Sequence, residues 1–257
     1  MQSRIDLNAD MGESFGPWTM GDDAALLDVV SSANIACGFH AGDPDVMAGV
    51  MRGAVARGVG IGAHPGFADL QGFGRRRMAL SLEEVGNLVS YQVGAAAGMA
   101  RAAGGALRHV KLHGALSNMA STDAALARAC LDAALRVDPD LIMVVLPATA
   151  LEAEARALGC AWAGEIFADR GYEDDGTLVP RGSEGAMIDT AEAAGARILE
   201  MLRHGALIAR SGRRIPARID TICVHGDSAE AVGLARGVRG ALEAGGVRLE
   251  RFEGARG

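Results

Sequence analysis

A single lysine, Lys111, occurs in the 257 residues, and it stands between two histidines in His109-Val110-Lys111-Leu112-His113-Gly114. Every other base among the 25 Lys+Arg is arginine. A retained ammonium therefore points to work that a planar guanidinium does not do, since lysine is a compact charge of tunable pKa. Extended backbone alternates its side chains, which puts His109, Lys111 and His113 on one face and Val110 and Leu112 on the other. Asp6, Asn8 and Asp10 alternate in the same way with Ile5, Leu7 and Ala9. Three further apolar runs, 34–40, 58–64 and 219–225, each end at a histidine: His40, His64 and His225.

Carboxylates, imidazoles and one amine at the ends of strands suit hydrolysis, and two chemistries fit. One is a divalent metal held by an aspartate and two histidines, Asp10, His40 and His64, with a position open to water. The other needs no metal: carboxylate and imidazole serve as general base and acid while Lys111 stabilises an oxyanion. The spacing does not choose between them, because no pair of ligands has the tight helical spacing of a zinc protease motif.

The elements that must carry these residues alternate. Helices are expected over 22–31 and, with Asp43 as N-cap and Pro44 at N1, from 44 to 57. Ser81 and Glu84 have the spacing of a capping box opening a helix to 103, and Thr149 with Glu152 repeats it for a helix ending near 159. Further helices are expected at 123–136, 189–204 and 228–244. Strands are read at 107–113, 161–167 and the continuous apolar run 141–146, which suits a parallel strand covered on both faces. Residues 171–187 read as a site-covering loop, and 206–217 as a hairpin turning at Ser211-Gly212. Seven strands alternating with helices imply a parallel sheet with right-handed crossovers. Five of them carry polar residues along one face, so the α/β class expected is an irregular seven-stranded parallel β/α barrel, TIM-barrel-like, as one domain over 1–257, with its site at the C-terminal rim. That rim would gather Asp6, Asn8, Asp10, His40, His64, Lys111, His113, Asp169 and His225, with Glu13, Asp43 and Asp227 just beyond.

Composition narrows the partners. A net charge of −7 with both signs interspersed argues against nucleic acid and membrane and for small ligands or proteins. No secretory leader pattern or spanning run is evident, so a cytoplasmic location is expected. Cys37, Cys130, Cys160 and Cys223 show no CxxC pairing and read as free thiols. A P-loop needs Gly-Lys, whereas the sole lysine follows Val110; Gly60-Ile61-Gly62 is followed by Pro65-Gly66, wrong for a dinucleotide fingerprint. Arg75-Arg76-Arg77 read as a solvated run from which one arginine, or Arg181, could grip a carboxylate.

Several motifs resemble the LamB/YcsF family: Asp6-Leu7-Asn8-Ala9-Asp10-Met11-Gly12-Glu13, the stretch from Ser32 through His40 to Pro44, Gly62-Ala63-His64-Pro65-Gly66, Gly72-Phe73-Gly74-Arg75-Arg76, His109 to Asn118, Phe167-Ala168-Asp169-Arg170, Leu178-Val179-Pro180-Arg181 and Thr221 to Asp227. The resemblance implies a barrel related to sugar and amide deacetylases and a role in ATP-dependent opening of 5-oxoproline, a lactam, to glutamate together with two partner subunits. ATP would then be bound by this chain or by a partner. By motif position it also implies a polar set of Asp10, His40, His64, Lys111, His113, Asp169 and His225. The chain departs from the family pattern at Leu112, where proline is usual, at Ser117, where tyrosine is usual, and over 182–185, which puts the exact substrate in question.

The expected catalytic residues are Asp10, Glu13, Lys111, His113, Asp169 and His225. Asn8, Asp43, Arg75, Arg170 and Arg181 are expected to bind substrate, and Asp10, His40 and His64 to hold a divalent metal. Two alternatives stand beside lactam hydrolysis: a metal-dependent deacetylase acting without ATP, and a noncatalytic binding subunit.

Overall fold

The computed structural model describes residues 4–188, 190–224 and 231–256. In chain order the elements are β1 (Arg4–Met11), α1 (Asp23–Leu27), β2 (Ser32–Ala36), α2 (Pro44–Arg57), β3 (Gly60–His64), α3 (Leu82–Ala102), β4 (Leu107–Lys111), α4 (Gly114–Ala120), α5 (Ala124–Val137), β5 (Ile142–Val145), α6 (Ala150–Leu158) and β6 (Ala161–Phe167). They continue with α7 (Ala191–His204), the hairpin β7 (Ala206–Ile208) and β8 (Arg214–Pro216), β9 (Thr221–Val224), α8 (Ala231–Ala244), β10 (Arg248–Leu249) and β11 (Ala255–Arg256).

Six strands, β1 to β6, pair in parallel in sequence order, and β9 pairs in parallel with both β6 and β1. The sheet therefore closes into the seven-stranded barrel expected from the alternation. Outward apolar residues pack under the helices; α3 buries Val85, Val89, Val93, Ala96 and Ala100, a stripe at helical spacing. Among the described residues no helix is long and apolar enough to cross a membrane.

Local chemistry explains most of the boundaries. Asp43 accepts from the amides of Asp45 and Val46 ahead of Pro44, and Gly58 ends α2 at φ 69°. Ser81 and Glu84 form the reciprocal capping box of α3. The box expected at Thr149 does not form: its hydroxyl donates to the Leu146 carbonyl, and Glu152 accepts from the Ala148 amide instead. The helix expected over 22–31 is only the short α1. Helix α4 and the strands β10 and β11 were not expected; β10 and β11 pair with the first residues of β1 and β6.

The lumen is polar in layers. Asp6 faces Thr221, the first residue of β9, and so lies deep in the barrel rather than on the rim as expected. There it accepts from Ser31, Ser32 and Thr221, and burial raises its pKa to about 6. One layer higher, Asn8 donates to Thr221 at 2.6 Å and accepts from Asn34 at 2.6 Å.

Candidate active site

A cavity of about 590 Å³ opens at the C-terminal ends of the strands, where such barrels place their sites. Asp10, His64, Lys111, His113, Glu165 and the buried Arg170 form its floor and walls, and the exposed Arg75, Arg77 and Arg181 its mouth. Asp175, Thr177, Leu178 and Pro180 from the segment expected to cover the site also line it. So do Leu112 and Ser117, two positions expected to bear on substrate choice.

Lys111 ends β4 and points inward, 4% exposed. Its Nζ lies 2.8 Å from Asp10 Oδ1 and 3.0 Å from Glu165 Oε1, and donates to Cys223 Sγ at 3.0 Å. Burial alone would strip the proton, but the neighbouring Asp10, Cys223 and Glu165, the Asp10 carboxylate first, outweigh it and hold the amine well above its ordinary pKa. A small ammonium reaches three strands here; a planar fork would not fit the same three acceptors. Asn34 donates to Asp10 at 2.9 Å, and His109 Nε2 lies 2.9 Å from Asn34 Oδ1. Burial, with Arg108 and Lys111 nearby, lowers the His109 pKa to about 3, so this ring is a neutral support beneath the site.

Beside the lysine stand three imidazoles. His64 Nδ1 lies 2.8 Å from the Lys111 carbonyl and His113 Nε2 lies 2.8 Å from the Phe73 carbonyl. A carbonyl only accepts, so each of these nitrogens carries the proton and its ring turns the other nitrogen, a lone pair in the neutral form, into the site. Those inner nitrogens, His64 Nε2 and His113 Nδ1, are 3.0 Å apart. His40 stacks on His113 with centroids 3.7 Å apart, and both its nitrogens are buried without a hydrogen-bond partner among the described residues. Burial and the neighbouring His113 and His64 lower the His40 pKa well below the ordinary imidazole value; burial likewise takes His113 down to about 3.

With Glu13, these histidines form a group whose potential ligand atoms all lie within 4.8 Å of one another. Orphaned, buried imidazole nitrogens beside a carboxylate fit a borderline divalent ion such as Zn²⁺. The four residues come from four places in the chain: the loop after β1, the segment after β2, the end of β3 and the residue that opens α4. Asp10, expected among the ligands, lies outside that set; its Oδ2 is 3.3 Å from His64 Nε2.

Glycines make the cluster possible. Gly74 has φ 61°, and a Cβ there would sit 2.7 Å from His40 Cβ and 2.8 Å from His113 Cδ2. Phe73 itself adopts φ 54°, which aims its carbonyl at His113.

The remaining candidates scatter. Asn8 is buried below the cavity wall, and Asp169 is buried just past β6. Asp43 caps α2 and accepts from the Gly16 amide, steadying the loop that bears Glu13. Arg170 donates to the carbonyls of Ala186 and Val179 and braces the covering segment. Within the arginine run, Arg76 pairs with Asp69 while Arg75 and Arg77 face the cavity. His225 and Asp227 lie outside the described residues. Glu165 and Asn34 were missed; the available signal was one carboxylate, and one amide, inside otherwise apolar strands.

The LamB/YcsF family model matches residues 5–257. The chain belongs to this family. It is 61% identical to a 5-oxoprolinase subunit of Ruegeria pomeroyi, over 98% of this chain and 99% of that one. A solved structure, the lactam utilization protein from Thermus thermophilus, superposes with a TM-score of 0.91 at 46% identity, covering 97% of this chain and 100% of that chain. A family 4 carbohydrate esterase from Streptomyces lividans shares the fold at a TM-score of 0.50 and 12% identity, over 97% of this chain and 91% of that one. LamB/YcsF membership thus accompanies a barrel whose rim brings a buried lysine and its carboxylates up against a cluster of histidines.

Proposed function

We propose that this chain is the barrel subunit of an ATP-dependent 5-oxoprolinase, which opens the cyclic amide of 5-oxo-L-proline to give L-glutamate in the cytoplasm. The observation that carries the reading is the buried Lys111–Asp10 pair set against a cluster of buried histidines at the floor of an arginine-mouthed cavity. The names borne by the Ruegeria relative and the Thermus structure support the choice of a lactam.

The division of labour follows from charge and position. Arg75 and Arg181 at the mouth receive the substrate carboxylate, for which a guanidinium fork is suited. The lactam carbonyl then points to Lys111, whose ammonium stabilises the oxyanion as it forms. Asp10, held by Lys111 and Asn34 and 3.3 Å from His64, takes the proton of the attacking water. Glu13, His40, His64 and His113 would hold a divalent ion, which supplies an acidified water and a Lewis acid when bound. Arg170, Asp43 and Asn8 position the walls, and Asp169, buried just past β6, belongs to the same rim.

Hydrolysis of an unstrained lactam is slow and unfavourable when glutamate is abundant, so the reaction draws on ATP. The chain has no P-loop motif, and two partner subunits provide or complete the nucleotide site. The test is glutamate release from 5-oxo-L-proline with ATP, with and without the partner subunits. Release only from the full set fits the proposal, and none under either condition defeats it. The histidine–glutamate cluster also fits a deacetylase acting without ATP; release of acetate from N-acetyl sugars by the chain alone would favour that reading.

A further inference from the structure

The ring nitrogen of a lactam leaves as an amine only if it gains a proton while the C–N bond breaks. Arg75, Arg181, Lys111 and Asp10 bind, polarise and deprotonate; none of them donates to that nitrogen. We propose that Glu165 is the general acid, a role that rests on the lactam-opening reading and completes it.

Three observations carry the assignment. The first is placement. In the closed order β1-β2-β3-β4-β5-β6-β9, β6 lies three strands from β2 by one route and three from β3 by the other. Glu165 therefore stands on the wall opposite the ends of β2 and β3, where His40 and His64 gather. A lactam seated between the walls, its carbonyl toward Lys111, turns its ring nitrogen toward one wall as water approaches from the other.

The second is the partner count. Asp10 receives Lys111 at 2.8 Å and Asn34 at 2.9 Å, and has His64 within 3.3 Å. Glu165 has Lys111 at 3.0 Å and the Asn8 amide, and beyond that ion pair its Oε1 has no hydrogen-bond partner among the described residues. Two carboxylates share one ammonium, so the proton that relieves their repulsion settles on the one with fewer donors. The third is access, because Glu165 lines the cavity although it is only 4% exposed. Burial also raises its pKa, as a reserve of protonated acid requires.

The groups facing Glu165 are Lys111 on β4, Asp10 and Asn8 on β1, Cys223 on β9 and Tyr172 beyond β6, while β5 presents Val144. The step balances. Water oxygen bonds to the carbonyl carbon and its proton passes to Asp10; the C–N pair moves to nitrogen, which takes the Glu165 proton. Lys111, in contact with both carboxylates, returns the proton from Asp10 to Glu165.

The test uses the complex reconstituted with its partner subunits and ATP, and compares two substrates: 5-oxo-L-proline and the lactone with oxygen in place of the ring nitrogen. An alkoxide leaves without prior protonation far more readily than an amide nitrogen. In Glu165→Gln, which keeps the shape, lactam opening should fall by about 100-fold or more and lactone opening by less than about tenfold. Glu165→Asp, which keeps the acid, should recover part of the lactam rate. Equal losses on both substrates would make Glu165 a support for Lys111 and overturn the assignment, as would an unchanged lactam rate. A wild-type complex that opens the lactone but not the lactam would defeat the function reading itself.

Discussion

His64 Nε2 and His113 Nδ1 face each other at 3.0 Å, while the far nitrogen of each ring is held by a backbone carbonyl. Two rings so pinned, in their neutral forms, bring two lone pairs together, which is repulsive unless a proton or a cation lies between them. The stacked His40 and the nearby Glu13 complete a group suited to a cation.

Metal titration checks this directly. The chain should bind one divalent transition ion, and His40→Ala should weaken the affinity by at least about 100-fold, since removal of a mere outer-shell partner already costs roughly 10- to 100-fold. Calorimetry or a competing chelator reads the difference, and equal affinity in the variant would remove His40 from the cluster.

Lys111→Met should destabilise the barrel by about 3–5 kcal/mol, because Asp10 would be left buried without its countercharge. Restoring neutrality with Asp10→Asn in the same chain should recover part of that loss. Urea midpoints of the single and double variants measure the coupling.

Acid should unfold the protein through its histidines. His109 and His113 have folded pKa values lowered to about 3 from the ordinary 6.5, so between those limits the unfolded chain binds protons that the folded chain does not. Stability is then present above pH 6.5 and is lost as pH falls toward 3, by about 1.4 kcal/mol per unit for each ring. Asp6 works in the opposite direction: raised to about 6 from 3.8, it favours the folded state at low pH and loses that contribution as pH rises through 6. His109→Gln should flatten the acid limb of a stability–pH curve, and Asp6→Asn should steepen it.

Gly74→Ala should cost about 1–2 kcal/mol from the left-handed backbone alone. The added methyl would also push on His40 and His113, so metal affinity should fall together with melting temperature. A stable variant with native affinity would mean that the loop shifts freely.

Much of this was legible in the chain, and for identifiable reasons. Alternation through Asp6, Asn8 and Asp10, and the histidine closing β3 at His64, mark lumen-facing positions, because period two is a local property of extended backbone. His40, expected to end its strand, instead lies four residues past the end of β2 at Ala36. The solitary Lys111 stood out by composition. Depth was not legible: Asp6 and Asp10 share a face, yet only strand register puts one beneath the site and the other in it. Nor was the pairing of Lys111 with Glu165, since those residues meet across the lumen from β4 and β6 and no spacing encodes that meeting. Helix α4 escaped notice because it is one short piece, 114–120, whose N-cap His113 makes no side-chain capping bond. Glu13 could be read as reactive but not as a neighbour of three histidines, which depends on the fold of the loop after β1.

The most direct measurement is glutamate formation by the reconstituted complex when the barrel subunit carries His40→Ala and His113→Ala together. Loss of about 100-fold or more in turnover, with the complex still assembled, is expected if the chemistry occurs at this rim. A complex that assembles and turns over at the wild-type rate would show that the barrel binds without catalysing.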